Sequence, residues 1–310
     1  MRKPVVLITG ANGFVGRNLV PLLKSNNYIV RRALRAGACG DHDVLVGSIG
    51  PSTDWGDALA NVDAVVHLAA RVHHAHEENA AELYEAVNTQ GTIELARAAA
   101  RAKVSKFVFL STILVNGTCT DRRRPFTSED KVSPRGVYSR SKAAAEAALR
   151  ELADESEMRV SVVRPPLVYG PNARGNFSHL VAAIRRRIPL PFGLTHNRRA
   201  FVSVQNLASF VLALIELHPA VPYQIYLVAD DEQVSTATFA RRIGKAMNRH
   251  VIMLPIPSTV LELALKATRP GLRDSLLGSM EIDTSAALST GWAPPFSMED
   301  GLRLALEQSG

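Results

Sequence analysis

The residues best able to do chemistry lie in VYSRSK (137–142), where Tyr138 and Lys142 stand four positions apart. On a helix both side chains leave the same face, and a phenol beside an ammonium is a proton-transfer pair. The positive charge would lower the phenol pKa from about 10 and ease proton exchange. Tyr and Lys at this spacing also form ordinary surface pairs, so the pair alone does not establish catalysis. A third group comes from FLST (109–112), where Thr112 ends an apolar run with a hydroxyl suited to hold a substrate oxygen.

Such groups need a scaffold and a binding site for whatever exchanges electrons with the substrate. The first apolar run, PVVLI (4–8), leads into TGANGFVG (9–16), with Gly10, Gly13 and Gly16 three apart. Glycines between a strand and a helix permit a tight turn, close approach of backbone to a pyrophosphate, and close helix packing. YIVRRAL (28–34), DAVVHLA (63–69), KFVFLS (106–111), RVSVVRP (159–165) and YQIYLVA (223–229) read as further strands. Helical patterns cover Gly13 to Ser25, Asn79 to Ala102 and Val137 to Glu157, and Ser203 caps a helix through Leu217. Alternation of this kind predicts an α/β fold, a doubly wound parallel (Rossmann) sheet with a smaller C-terminal substrate-binding lobe. Residues 1–165 form the dinucleotide-binding part, 201–228 return to it, and 166–310 mainly form the lobe. Thr112 then falls at the carboxyl edge of the sheet, where open α/β folds bind ligands.

The 310 residues are 46% hydrophobic and 21% charged, enough for a sizeable buried core. A net charge of +7 suits an anionic partner such as a diphosphate. The basic clusters, among them RRR at 122–124 and RRR at 185–187, are short and scattered and read as solvated faces, so no nucleic-acid partner is expected. Cys39 and Cys119 have no metal-type spacing, and the irregular His73, His74 and His76 of RVHHAHEE read as a polar loop, so no metal is expected. No apolar run reaches the roughly 18 residues of a membrane span, and the chain enters a strand too early for a signal peptide; a cytoplasmic protein without membrane insertion is expected.

These motifs resemble the extended short-chain dehydrogenase/reductase superfamily, and within it the NAD-dependent epimerase/dehydratase family of nucleotide-sugar enzymes. The resemblance covers nearly the whole chain through TGANGFVG, VVHLAA (65–70), VNTQGT (87–92), FVFLSTILVNG (107–117), YSRSK (138–142), RPPLVYGP (164–171), GNF (175–177) and RRAFVSVQNLA (198–208). It implies catalytic roles for Thr112, Tyr138 and Lys142. It implies cofactor contacts for Gly10, Asn12, Gly13, Phe14, Val15, Gly16, Leu68, Ala69, Ala70, Asn88 and Pro165, with Tyr138 and Lys142. Arg71, His73, Asn116, Asn176, Phe192, Arg199 and Arg273 are the implied contacts of a nucleotide-diphosphate sugar. Phe192 reads equally well as a core aromatic.

Some positions depart from the family pattern. An acid for the ribose 2′-hydroxyl is missing after the second strand, where Leu34 is followed by Arg35, so NADP(H) is favoured and NAD(H) remains possible. Ser48, Leu167 and Asn116 stand where relatives carry Asp, Asn and Tyr. The expected function is an NAD(P)-dependent enzyme acting at C4 of a nucleotide sugar. A 4-keto-(6-deoxy)sugar reductase of bacterial surface-polysaccharide synthesis is favoured, with a C4-epimerase holding NAD tightly as the alternative. A non-catalytic dinucleotide sensor is the remote one. A homodimer through the 79–102 and 137–157 helices is expected.

Overall fold

The computed structural model describes residues 2–37, 39–72, 77–121, 123–268 and 270–307. In chain order the elements are β1 (Val5–Thr9), α1 (Phe14–Ser25), β2 (Ile29–Leu34), β3 (Val44–Leu45), α2 (Gly56–Leu59), β4 (Ala64–His67), α3 (Ala80–Tyr84), α4 (Gly91–Arg101) and β5 (Lys106–Leu110). There follow α5 (Val137–Asp154), β6 (Arg159–Arg164), β7 (Leu167–Tyr169), α6 (Asn176–Arg185), β8 (Phe201–Ser203), α7 (Val204–Glu216) and β9 (Tyr223–Leu227). The last part holds α8 (Thr236–Ala246), α9 (Ser258–Thr268), α10 (Pro270–Leu276), α11 (Ser285–Leu288) and α12 (Met298–Glu307).

Seven strands form one sheet in the order β3-β2-β1-β4-β5-β6-β9, and every pairing is parallel. This is the doubly wound α/β fold. Its strands are near-continuous apolar runs because both faces are covered. Leu95 and Ala96 of α4 pack with Ala145 and Leu149 of α5 against one face; Leu19 and Leu23 of α1 and Leu207 and Phe210 of α7 cover the other. Strand order reverses between β1 and β4, which opens a crevice at their carboxyl ends.

A third apolar cluster lies in the lobe, where Phe177 and Val181 of α6 meet Phe239 and Ile243 of α8 and Leu302 of α12. A separate parallel pair, β7 with β8, lies outside the seven-stranded sheet. Two details differ from the sequence pattern. The helical stretch expected over 79–102 is broken by a π-helical turn, Glu85–Gln90, between α3 and α4. The two- and three-residue strands β3, β7 and β8 are too short to show a period. Among the described residues no helix is long and apolar enough to cross a membrane.

Candidate active site

At the crevice the β1–α1 turn is shaped by its glycines. Gly10 has a positive φ of 68°, and a Cβ there would lie 2.8 Å from the backbone nitrogen of Ala69, at the end of β4. A Cβ on Gly16 would overlap the carbonyl of Gly10 and the backbone of Ala11, so the helix can seat on the turn only without one. Gly13 caps α1 with no side-chain hydrogen bond, and no acid occupies the first turn. The N–H groups of Phe14, Val15 and Gly16 therefore have no partner inside the helix and face the crevice end of the turn. This chemistry fits a pyrophosphate; Leu68 and Ala69 lie against Gly10 at its edge, and Asn12 is an exposed residue of the turn itself.

A buried relay fixes the β4 side of the crevice. Thr9 Oγ1 lies 2.6 Å from His67 Nδ1, and His67 Nε2 lies 2.9 Å from Thr92 Oγ1. Thr92 donates its own proton to the Asn88 carbonyl, so it must accept from Nε2–H; Nδ1 then accepts from Thr9, whose oxygen receives the Ala69 N–H. The neutral Nε2–H tautomer thus satisfies every member. Burial, with Lys142 nearby, pulls the His67 pKa down from 6.5 to about 3. The native state binds fewer protons than the unfolded chain between those values, so this residue makes stability fall as pH drops from about 6.5 towards 3, by about 1.4 kcal/mol per pH unit. Urea midpoints across that window should fall more steeply for wild type than for His67→Gln; parallel slopes would contradict the relay.

The proton-transfer residues are brought together by α5 and the end of β5. Lys142 Nζ donates to the Leu110 carbonyl at 2.7 Å and stands 4.2 Å from the Phe109 ring centroid. One turn further on, Glu146 accepts from Ser111 and from Arg164, with the guanidinium Nε 3.1 Å from each carboxylate oxygen. Tyr138, Lys142 and Glu146 thus occupy successive turns of one helical face, stitched to the residues just before Thr112. The ion pair is almost completely buried and tolerable because it is multiply hydrogen-bonded; Arg164 also reaches Asn116 Oδ1 at 2.8 Å. Sequence reasoning missed this support. Its signals were a charged residue at the end of a buried strand and an acid eight positions after Tyr138.

Thr112 is buried and caps a short 3₁₀ turn, Ile113–Val115, accepting the Leu114 N–H at 3.3 Å. Its hydroxyl proton has no protein acceptor among the described residues and is left to hold a ligand oxygen. Tyr138 follows Gly136, whose φ of 83° suits glycine, and its ring meets Tyr84 edge-on at 6.3 Å. Arg71 stands over Tyr84 at 5.9 Å and pairs with Glu77, while its buried Nε has no hydrogen-bond partner among the described residues.

The electrostatics correct one sequence expectation. Burial, then the Tyr84 phenol, pushes Tyr138 up to about 12, and burial pulls Lys142 down to about 7 against the opposing effect of Glu146. Desolvation overrides the lowering expected from Lys142, so Tyr138 holds its proton.

Other expected contacts are redistributed. Asn88 is buried, accepting the Arg71 N–H at 2.7 Å and donating to the Arg71 carbonyl and Ser141 Oγ; it shapes the cofactor wall and has no free amide end. Asn116 is likewise committed to Arg164 and the Thr127 carbonyl, so it supports the loop after Thr112. Phe192 belongs to the lobe's apolar cluster, 6% exposed, and packs there because its neighbours Leu190 and Phe201 are also interior. Pro165 accepts the Ile113 N–H through its carbonyl. Asn176 is exposed at the start of α6. His73 lies outside the described residues. At the β2 end Arg31 bonds the Ala58 and Ala60 carbonyls and Arg32 pairs with Asp43, whereas Arg35 is exposed.

A cavity of about 340 Å³ in the lobe is lined by Asp121, Thr195, Asn197, Glu262, Arg273 and Ser279, among others. Arg273 enters it paired with Asp121, Glu262 and Asp274. Thr195 is 4% exposed and its Oγ1 has no partner among the described residues. Arg199 is buried behind this wall, its Nη1 donating to the Asp274 and Gly278 carbonyls, so it anchors the turn after Arg273. Burial lowers it to about 10, and it stays charged at neutral pH.

A doubly wound sheet with a glycine turn at its switch point and a Tyr–Lys pair on the flanking helix defines a short-chain dehydrogenase/reductase of the extended type. The chain belongs to the NAD dependent epimerase/dehydratase family, whose model matches residues 6–229. It is 39% identical to the UDP-glucose 4-epimerase of Vibrio cholerae over 306 residues, 96% of this chain and 93% of the relative. Its fold matches MoeE5 in complex with UDP-glucuronic acid and NAD with a TM-score of 0.79, at 22% identity and covering 98% of each chain. The UDP-N-acetylglucosamine 4-epimerase from Bacillus cereus matches with a TM-score of 0.79 at 19% identity, covering 99% of this chain and 100% of that one.

Proposed function

We propose that the protein is a C4-epimerase of a UDP-sugar. The observation that carries this reading is the 39% identity, over nearly the full length of both chains, to a UDP-glucose 4-epimerase. When bound, the dinucleotide supplies a site that takes a hydride from sugar C4 and returns it. Tyr138 receives the 4-hydroxyl proton in the outward half and gives it back in the return half. The Thr112 hydroxyl proton holds the same oxygen, and the Arg71 Nε, without a partner among the described residues, suits a second sugar oxygen. Lys142, one turn from Tyr138, provides the positive charge that favours the ionised phenol against the effect of burial. Arg273 and Thr195 offer the lobe cavity's donors to the nucleotide diphosphate, while Asn197 holds the wall through Thr236 and the Leu276 and Gly278 carbonyls.

A 4-keto-sugar reductase is the second reading, favoured by exposed Arg35 at the end of β2, where no acid would select NAD. A 2′-phosphate there would gain a charge-assisted hydrogen bond of about 1.5–3 kcal/mol, one to two decades of affinity. One experiment separates the two. An epimerase interconverts UDP-glucose and UDP-galactose with no net dinucleotide consumption. A reductase instead oxidises NADPH stoichiometrically with a 4-keto nucleotide sugar, and Arg35→Ala weakens NADPH binding about ten- to hundredfold. Absence of both activities would remove the C4 assignment.

A further inference from the structure

The lobe carries an unusual concentration of exposed apolar side chains. Of the twelve large hydrophobic residues exposed among the described residues, six lie in one corner: Ile188, Leu194, Ile252, Leu254, Val260 and Leu263. Leu263 is 71% exposed and Val260 57%, one turn apart on α9. Backbone hydrogen bonds lace the contributing segments together. Leu190 N–H reaches the Ile252 carbonyl at 2.9 Å, Leu254 N–H the Leu190 carbonyl at 2.8 Å, and Gly193 N–H the Leu254 carbonyl at 3.0 Å. Ser258 Oγ closes the corner on the Leu194 carbonyl at 3.3 Å. A Cβ on Gly193 would lie 2.7 Å from the Leu254 carbonyl oxygen, so the two loops meet in backbone contact.

The charge carried by the two paired segments is basic, while Asp121 and Glu262 stand on the neighbouring cavity wall. Exposed Arg185, Arg186 and Arg187 immediately precede Ile188, and exposed Arg249 and His250 precede Ile252 on the paired loop. The only acid in 185–194 and 249–263 is Glu262, which is turned to Arg273 at 3.3 Å on the cavity wall. Apolar tips inside a basic rim are the surface chemistry of a protein that sits on anionic lipid headgroups.

We infer that this corner of the lobe docks on an anionic phospholipid surface, with Val260 and Leu263 of α9 entering the interface and Arg186, Arg187 and Arg249 meeting the headgroups. A second copy of the chain fits less well. A twofold contact would bring the same arginines together with no free acid from these segments to oppose them. Because Leu194, Ser258 and Glu262 also line the lobe cavity, docking would bring the cavity wall to the membrane surface. This goes beyond the proposed reaction and does not depend on it.

The test is co-sedimentation of the full chain with phosphatidylcholine vesicles, with and without phosphatidylglycerol. Wild type should pellet only with the anionic vesicles and be released by salt. Arg186→Gln with Arg187→Gln should weaken binding about fivefold for each arginine removed. Val260→Ser with Leu263→Ser should weaken it at least about tenfold. Both double variants should keep wild-type melting temperature and mass in sedimentation velocity. Failure of wild type to pellet, or equal pelleting of wild type and both variants, overturns the inference. So does a change of oligomer mass in the variants, which would make the corner a protein–protein surface.

Discussion

Tyr138→Phe is expected to lower turnover by about 10²–10⁴-fold while dinucleotide binding stays near wild type. The substitution removes one oxygen that makes no hydrogen bond among the described residues and keeps the ring that meets Tyr84 at 6.3 Å. The melting temperature should therefore hardly move. Because burial pushes the phenol up to about 12, Tyr138 must be ionised with the help of the Lys142 charge before it can take the sugar's hydroxyl proton. Stopped-flow turnover together with dinucleotide titration checks both halves. Turnover within a few-fold of wild type would remove Tyr138 from the reaction.

Lys142→Met should abolish most activity and raise stability. Lys142 is wholly interior, and burial draws its pKa from 10.5 down to about 7. The unfolded chain binds more protons than the native state between those values. This group therefore lowers stability most below about pH 7, and the penalty fades as pH rises towards 10.5. Methionine fills the volume without a charge, so at pH 7 the variant should gain on the order of a few kcal/mol. The lost bond to Leu110 and the contact with Phe109 offset part of this. A buried amine that costs stability is retained for function, which is the expected trade at a catalytic position. Chemical denaturation from pH 7 to 10 measures it; the wild-type deficit should shrink with rising pH. A variant less stable than wild type at pH 7 would show that Lys142 is chiefly structural.

What could be read in the sequence was local. The TGANGFVG turn was legible because each glycine answers a steric demand a few residues away, and Tyr138 and Lys142 because helical spacing alone puts them on one face. Six of the seven strands followed from apolar runs alternating with helices; β3, two residues long, did not. Contacts closed over long separations were not legible. Nothing near Asn116 announces Arg164, 48 residues on, and nothing near Phe192 says whether its ring faces a nucleotide or the lobe's core. The direction of the Tyr138 shift was misjudged for a related reason. Spacing reveals that a lysine is near, while desolvation depends on what the rest of the chain packs around both groups. The His67 relay escaped because a histidine in an apolar strand offers no clue to the two threonines that satisfy it.

The most direct measurement is conversion of UDP-glucose labelled with deuterium at C4, followed by nuclear magnetic resonance in ordinary water. If Tyr138, Lys142 and Thr112 act on the sugar's C4 hydroxyl while the dinucleotide carries the hydrogen out and back, UDP-galactose forms with the deuterium still on C4. Washout of the label into water, or no conversion with NAD present, would contradict the account.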